Sequence, residues 1–287
     1  MFKIIEVKSF LRLITELNIW VAIAVSALCV VTYMDMSMAI QYDYIFLVFF
    51  GTISMYNFQR LIRMHIMVQE VYHLRARWYK KLYKWNLLGL MLCIAPILYF
   101  GMQIQLTNYW PMLLAAVISL AYPLPVYKSS KGWMRLRDFP LFKIVLVSLV
   151  WAIVSVWIPR QLTMNSWNFN GVLQFLERFI FIFAITIPFD IRDVRYDKQP
   201  TIPKLIGVKG AKLLSLVLWI AFFLLFLRNH SIPEIQIGFY VSGFVLFVIG
   251  SILILKSHPL RDPLYYSFLI EALPIMQWGL YWLFLSF

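Results

Sequence analysis

Apolar and polar positions alternate along this chain in blocks, not at the period of a half-buried strand or of a one-sided helix. Long runs of Leu, Ile, Val, Phe and Trp lie at 17–34, 44–62, 86–104, 109–126, 139–158, 172–190, 211–227, 235–255 and 264–285, and charged residues crowd between them. A run of ~20 apolar residues crosses a bilayer as a helix, because a helix satisfies its own backbone polar groups where no water is present. Ahead of the first run, residues 2–16 mix Phe2, Ile5, Leu11 and Ile14 with Lys3, Glu6, Lys8 and Arg12, a pattern that suits an amphipathic helix lying on the membrane surface. Even spacing from end to end predicts an all-α polytopic bundle of about nine spans, forming a single integral membrane domain over 1–287.

Composition agrees with the pattern. The chain is 62% hydrophobic and 14% charged, too little polar surface to coat a soluble domain. The net charge of +13 does not point to nucleic acid, because the basic residues are spread among the connections and form no single patch. All but Arg160, Arg178 and Arg228 of the 26 basic residues fall in the N-terminal segment or after the second, fourth, sixth and eighth runs. The positive-inside rule then places the N-terminus in the cytoplasm and the C-terminus outside, in a membrane such as the bacterial inner membrane. Lys3, Lys8 and Arg12 before an apolar run superficially resemble a signal peptide, but more spans follow and no small-residue cleavage site is evident. Cys29 and Cys93 lie inside apolar runs and read as packing residues.

Candidate chemistry gathers where the sixth run ends, in Phe189-Asp190-Ile191-Arg192-Asp193-Val194-Arg195-Tyr196-Asp197. On a continuing helix Asp190, Asp193 and Asp197 share one face, and like charges so close repel unless cations neutralise them. Mg²⁺, which joins carboxylates to substrate phosphates, is one such cation. Salt bridges from Arg192 and Arg195 are another, and a solvated turn of mixed charge would need neither.

Together with Thr201, Ile202, Pro203, Gly207 and Ala211 downstream, these residues resemble the second aspartate-rich motif of the UbiA superfamily of intramembrane prenyltransferases, D-x-x-D-x-x-x-D followed by T-[IL]-P and G-x-x-x-A. The Asp-x-Arg-Asp form is closest to members that prenylate quinone precursors such as naphthoates. The stretch around Tyr122, Pro123, Pro125 and Lys128 is similar to that family's loop after its fourth helix. The family's first motif, N-D-x-x-D-x-x-x-D, aligns with Asn57, but its aspartates are Phe58, Leu61 and His65 here.

The resemblance implies a Mg²⁺-dependent transfer of a prenyl group from a prenyl diphosphate to an aromatic or other lipophilic acceptor among membrane lipids. Asp190, Asp193 and Asp197 would be the catalytic, metal-holding acids. Asn57, Arg60, Lys128, Arg137, Lys143 and Arg192 would face the diphosphate, with Arg60 standing in for the lost metal half; Arg60 also reads as an ordinary topology charge. Glu271, an acid inside the last run, is a candidate for acceptor binding or proton uptake, or for a hydrogen bond to a neighbouring helix. The altered first motif leaves open an isoprenoid-binding member without turnover and a terpene cyclase of the same family. A transporter would be expected to show an internal repeat, and none is evident.

Overall fold

In this computed structural model, residues 2–66, 74–104, 110–129, 132–136, 139, 141–164, 168–197, 199–230 and 237–285 are described. Helices dominate them: α1 (Phe2–Glu16), α2 (Ile19–Asp35), α3 (Tyr42–Ile66), α4 (Leu74–Gln103) and α5 (Trp110–Ala121) come first. A two-stranded antiparallel hairpin, β1 (Pro125–Ser129) and β2 (Gly132–Arg135), leads to α6 (Phe142–Ala152), which runs through a π-helical stretch at Ile153–Trp157 into α7 (Ile158–Met164). Then come α8 (Phe169–Asp193), α9 (Ile202–Asn229), α10 (Ile237–Leu255), a second π-helical stretch at Tyr265–Ile270, and α11 (Leu273–Leu285).

Each apolar run coincides with a helical segment. Among the described residues, six helical stretches are long and apolar enough to cross a bilayer unaided: 42–62, 83–103, 142–164, 169–193, 202–229 and 237–255. The chain is a multi-pass membrane protein. The remaining runs are shorter or interrupted: α2 has 17 residues, α5 has 12, and the last run breaks between its π-helical stretch and α11. The fourth run, expected to reach 126, stops as helix at Ala121, because Pro123 and Pro125 follow and the backbone enters the hairpin.

α9 shows why both faces of these helices are apolar. Ala211, Ser215, Trp219, Phe222 and Phe226 are buried along one side, while Leu213, Val217, Ile220 and Leu224 are exposed along another. That exposed stripe needs lipid, not water, against it. Close approach of α10 to α9 depends on Gly250, where a Cβ would stand 2.2 Å from the Trp219 ring. Helices α3, α2, α11, α10, α9, α8 and α6 pack side by side, with α5 between α3 and the π-helical stretch after α6, so the bundle closes on itself.

Two local irregularities position side chains. Asn18 adopts a left-handed conformation (φ 60°), and the chain bends by 67° between Val7–Glu16 and α2. Gly207 has φ 75° and ψ 162°, a region open essentially to glycine alone, so α9 kinks just after its Thr201-Ile202-Pro203 start. The π-helical stretch at 153–157 releases the Val154 carbonyl from the helix ladder, and the Tyr44 hydroxyl donates to it at 2.5 Å.

Candidate functional site

The start of α6 packs on α8 at one end of the bundle, and charges from both Arg192 of α8 and Arg60 of α3 reach Glu271 there. Leu141 precedes α6 with φ 65°, a strained value for leucine, and two residues later Lys143 projects toward α8. Its ammonium donates to Asp190 Oδ1 at 2.6 Å and lies 4.0 Å from Asp197 Oδ2. Asp190 is almost wholly buried, whereas Lys143 and Asp197 keep some contact with solvent. Arg192 grips its neighbour Asp193 with two bonds of 2.7 and 2.6 Å, and its guanidinium lies 5.2 Å from the Phe189 ring centre and 5.8 Å from that of Tyr266.

In this structure the three acids do not share one face as the spacing predicts. The shared face of Asp190, Asp193 and Asp197 required the helix to continue, but α8 stops at Asp193 and the chain turns. Asp190 and Asp197 converge on an ammonium, while Asp193 turns to Arg192. Among the described residues no three acidic, histidine or cysteine side chains are placed to hold a metal ion. The first motif position offers no carboxylate from its own helix: Asn57, buried, accepts from Asn18 Nδ2 at 2.6 Å. The donor set therefore does not fit a two-metal cradle.

A cation stands beside the positions those acids would take. Arg60 on α3 donates to the Glu16 carbonyl and, at 3.0 Å, to Asn18 Oδ1; its Nη1 lies 3.4 Å from the Glu16 carboxylate. Sequence reading did not find this elbow of Glu16 and Asn18, because nothing within α3 signals that α1 bends back onto it. Glu271, half-buried, feels the charges of both Arg192 and Arg60, which places it between the α3 and α8 sides of the site. Its segment is pinned by the Trp20 indole, which donates to the Phe268 carbonyl at 3.0 Å and stacks on the Phe268 ring at 4.4 Å. Lys128 stands on β1, and Arg137 lies outside the described residues.

Above the charged end an apolar cavity of about 250 Å³ is bounded by α2, α3, α5 and α6, with Tyr44, Val48, Gly51, Tyr56, Ala115 and Trp151 among its walls. Along α3 it runs from Tyr44 to Tyr56, a rise of about 18 Å at helical spacing. Tyr56 adjoins Asn57, and Val150 on the α6 wall lies two helical turns, about 10 Å, from Lys143. The α3 and α6 walls of the cavity thus run toward the end of the bundle that bears these cations. What the geometry offers is a group of cations at one end of the bundle and an apolar cavity whose α3 and α6 walls lead toward it.

No protein-family model matches this chain, and no curated protein matches it. Solved structures do. The apo structure of a UbiA homologue from Aeropyrum pernix K1 superposes with a TM-score of 0.67 at 14% identity, covering 91% of this chain and 96% of that one. A UbiA homologue from Archaeoglobus fulgidus, described as bound to GPP and Mg²⁺, superposes with a TM-score of 0.57 at 13% identity, covering 96% and 98%. At that identity the likeness is one of architecture: this chain has the fold of the UbiA homologues.

Proposed function

We propose that the chain is a member of the UbiA superfamily that binds a prenyl diphosphate at its basic end and transfers the prenyl group to a lipophilic, electron-rich acceptor. The observation that supports this reading is the presence of Lys143, Arg192 and Arg60 at the end of the bundle toward which an apolar cavity leads, in a fold whose A. fulgidus relative is bound to GPP. By the positive-inside rule the basic end faces the cytoplasm, where soluble diphosphates are available.

In the reaction, the bond between the allylic carbon and the diphosphate oxygen breaks, and the electron pair leaves with diphosphate. Lys143, Arg192 and Arg60 stabilise the charge that develops on the leaving group, since charge-assisted bonds to phosphate oxygens strengthen as that charge grows. The allylic cation then bonds to the acceptor carbon, and the acceptor's proton passes to Glu271. Asp190, Asp193 and Glu16 position the three cations and exchange with the diphosphate for them.

A second reading, an isoprenoid-binding protein without turnover, draws support from the pairing of each cation with its own acid and from the loss of the first-motif aspartates. One experiment separates them: purified protein in lipid with labelled geranylgeranyl diphosphate, with and without an aromatic acceptor, in Mg²⁺ or in EDTA. Transfer predicts released diphosphate and an acceptor adduct, with substrate still bound in EDTA. Binding without release supports the second reading, a cyclic hydrocarbon supports a cyclase, and absence of binding sinks all three.

A further inference from the structure

The opposite end of the bundle contains a buried polar network that the proposed reaction does not use. Asp35 closes α2, and its Oδ2 accepts from Gln174 Nε2 of α8 at 2.9 Å. His230, just past α9, places Nε2 at 3.1 Å from Asp35 Oδ1 and Nδ1 at 2.9 Å from the Phe226 carbonyl. Both ring nitrogens face acceptors, so both carry a proton and the ring is an imidazolium. Burial opposes that charge, but the Asp35 hydrogen bond and charge outweigh it and push His230 up to about 9. Tyr281 on α11 approaches the same Nε2 at 3.3 Å.

The remaining charges in the network are not matched in pairs. Arg160 on α7 donates to two neutral groups, Gln174 Oε1 at 2.9 Å and Asn168 Oδ1 at 3.0 Å. Glu177 accepts from the Asn229 amide. Arg178 is 1% exposed, and neither Nη1 nor Nη2 has a hydrogen-bond partner among the described residues. Cys29 of α2 and Tyr281 of α11 are within electrostatic reach of its guanidinium. Among the described residues, three cations (Arg160, Arg178, His230) therefore face two carboxylates (Asp35, Glu177), an excess of one positive charge in a medium where an unpaired buried charge is costly.

We propose that this network holds one small inorganic anion, of the size of chloride, against the Arg178 guanidinium between α2, α8 and α11. A single anion neutralises the excess and gives Nη1 and Nη2 their missing acceptor. Water alone supplies the acceptor but leaves the charge. The anion adds a further tie among α2, α8 and α11 to the hydrogen bonds already there.

The test uses the full chain in detergent, melted at equal ionic strength in sodium chloride, sodium bromide or sodium gluconate, with crystals grown in bromide for anomalous diffraction. Chloride and bromide should raise the melting temperature by several degrees over gluconate, and Arg178→Gln should abolish the difference. A bromide peak should lie in contact with Arg178. Equal melting in all three salts, or a difference that survives Arg178→Gln, overturns the proposal. If that variant does not fold, the wild-type anomalous map decides: a peak at Arg178 supports the site, and its absence there overturns it.

Discussion

Replacing Asp190 by alanine tests whether Lys143 is held as described. The bond is 2.6 Å long, with Asp190 at 3% side-chain exposure and Lys143 at 22%. Removing one partner of a buried pair costs about 3–5 kcal/mol, mostly because the other charge is left uncompensated. Lys143 keeps some water and has Asp197 at 4.0 Å, so the low end applies, about 3 kcal/mol. At about 2–4 °C per kcal/mol this is a fall in melting temperature of roughly 6–12 °C. Replacing both partners with apolar residues, Lys143→Met with Asp190→Leu, removes the stranded ammonium and should recover most of that loss. The assay is thermal unfolding of the four proteins of the double-mutant cycle in one detergent. If Asp190→Ala melts within about 2 °C of wild type, or the double variant melts no higher than it, the pair is not formed as described.

Three other outcomes follow from the geometry. Gly51 lines the cavity with open space beside it, about 8 Å in from the Tyr56 rim, so Gly51→Phe should weaken binding of a C20 prenyl diphosphate much more than of a C10 one, read as the ratio of their KM values. Arg60→Gln should raise KM for the diphosphate about tenfold, the loss of one hydrogen bond to a charged group, while Glu16→Gln, which removes a competitor for Arg60, should lower it. His230 is raised from its ordinary 6.5 to about 9, so its contribution to stability is complete below pH 6.5 and is lost as pH rises through 9. Melting profiles should therefore decline over that window in wild type and run flatter in His230→Gln.

The helical architecture was legible because lipid imposes it: a chain apolar on every face over twenty residues has few other structures open to it. The motif at Asp190 was legible for a different reason, its spacing along one helix end. What the sequence did not disclose is how charges pair between helices. Lys143 and Asp190 are 47 residues apart, and Asp35 and His230 are 195 apart; no periodicity within a run relates such partners. Arg160 and Arg178 read as stray exceptions to the charge bias, yet each proves buried. Arg178 and Glu177 inside the sixth apolar run were the available signal, because charges at that depth need partners. The face expected to be shared by Asp190, Asp193 and Asp197 did not form because helical spacing was extended past the residue where α8 ends.

A structure of the protein with geranylgeranyl diphosphate tests the account most directly. Phosphate oxygens should lie within hydrogen-bond distance of Lys143 Nζ and the Arg192 and Arg60 guanidinium groups, with Asp190 released from the ammonium and the isoprenoid chain lying beside Gly51. A headgroup bound away from all three cations, or a chain lodged outside the cavity along α3, would contradict it.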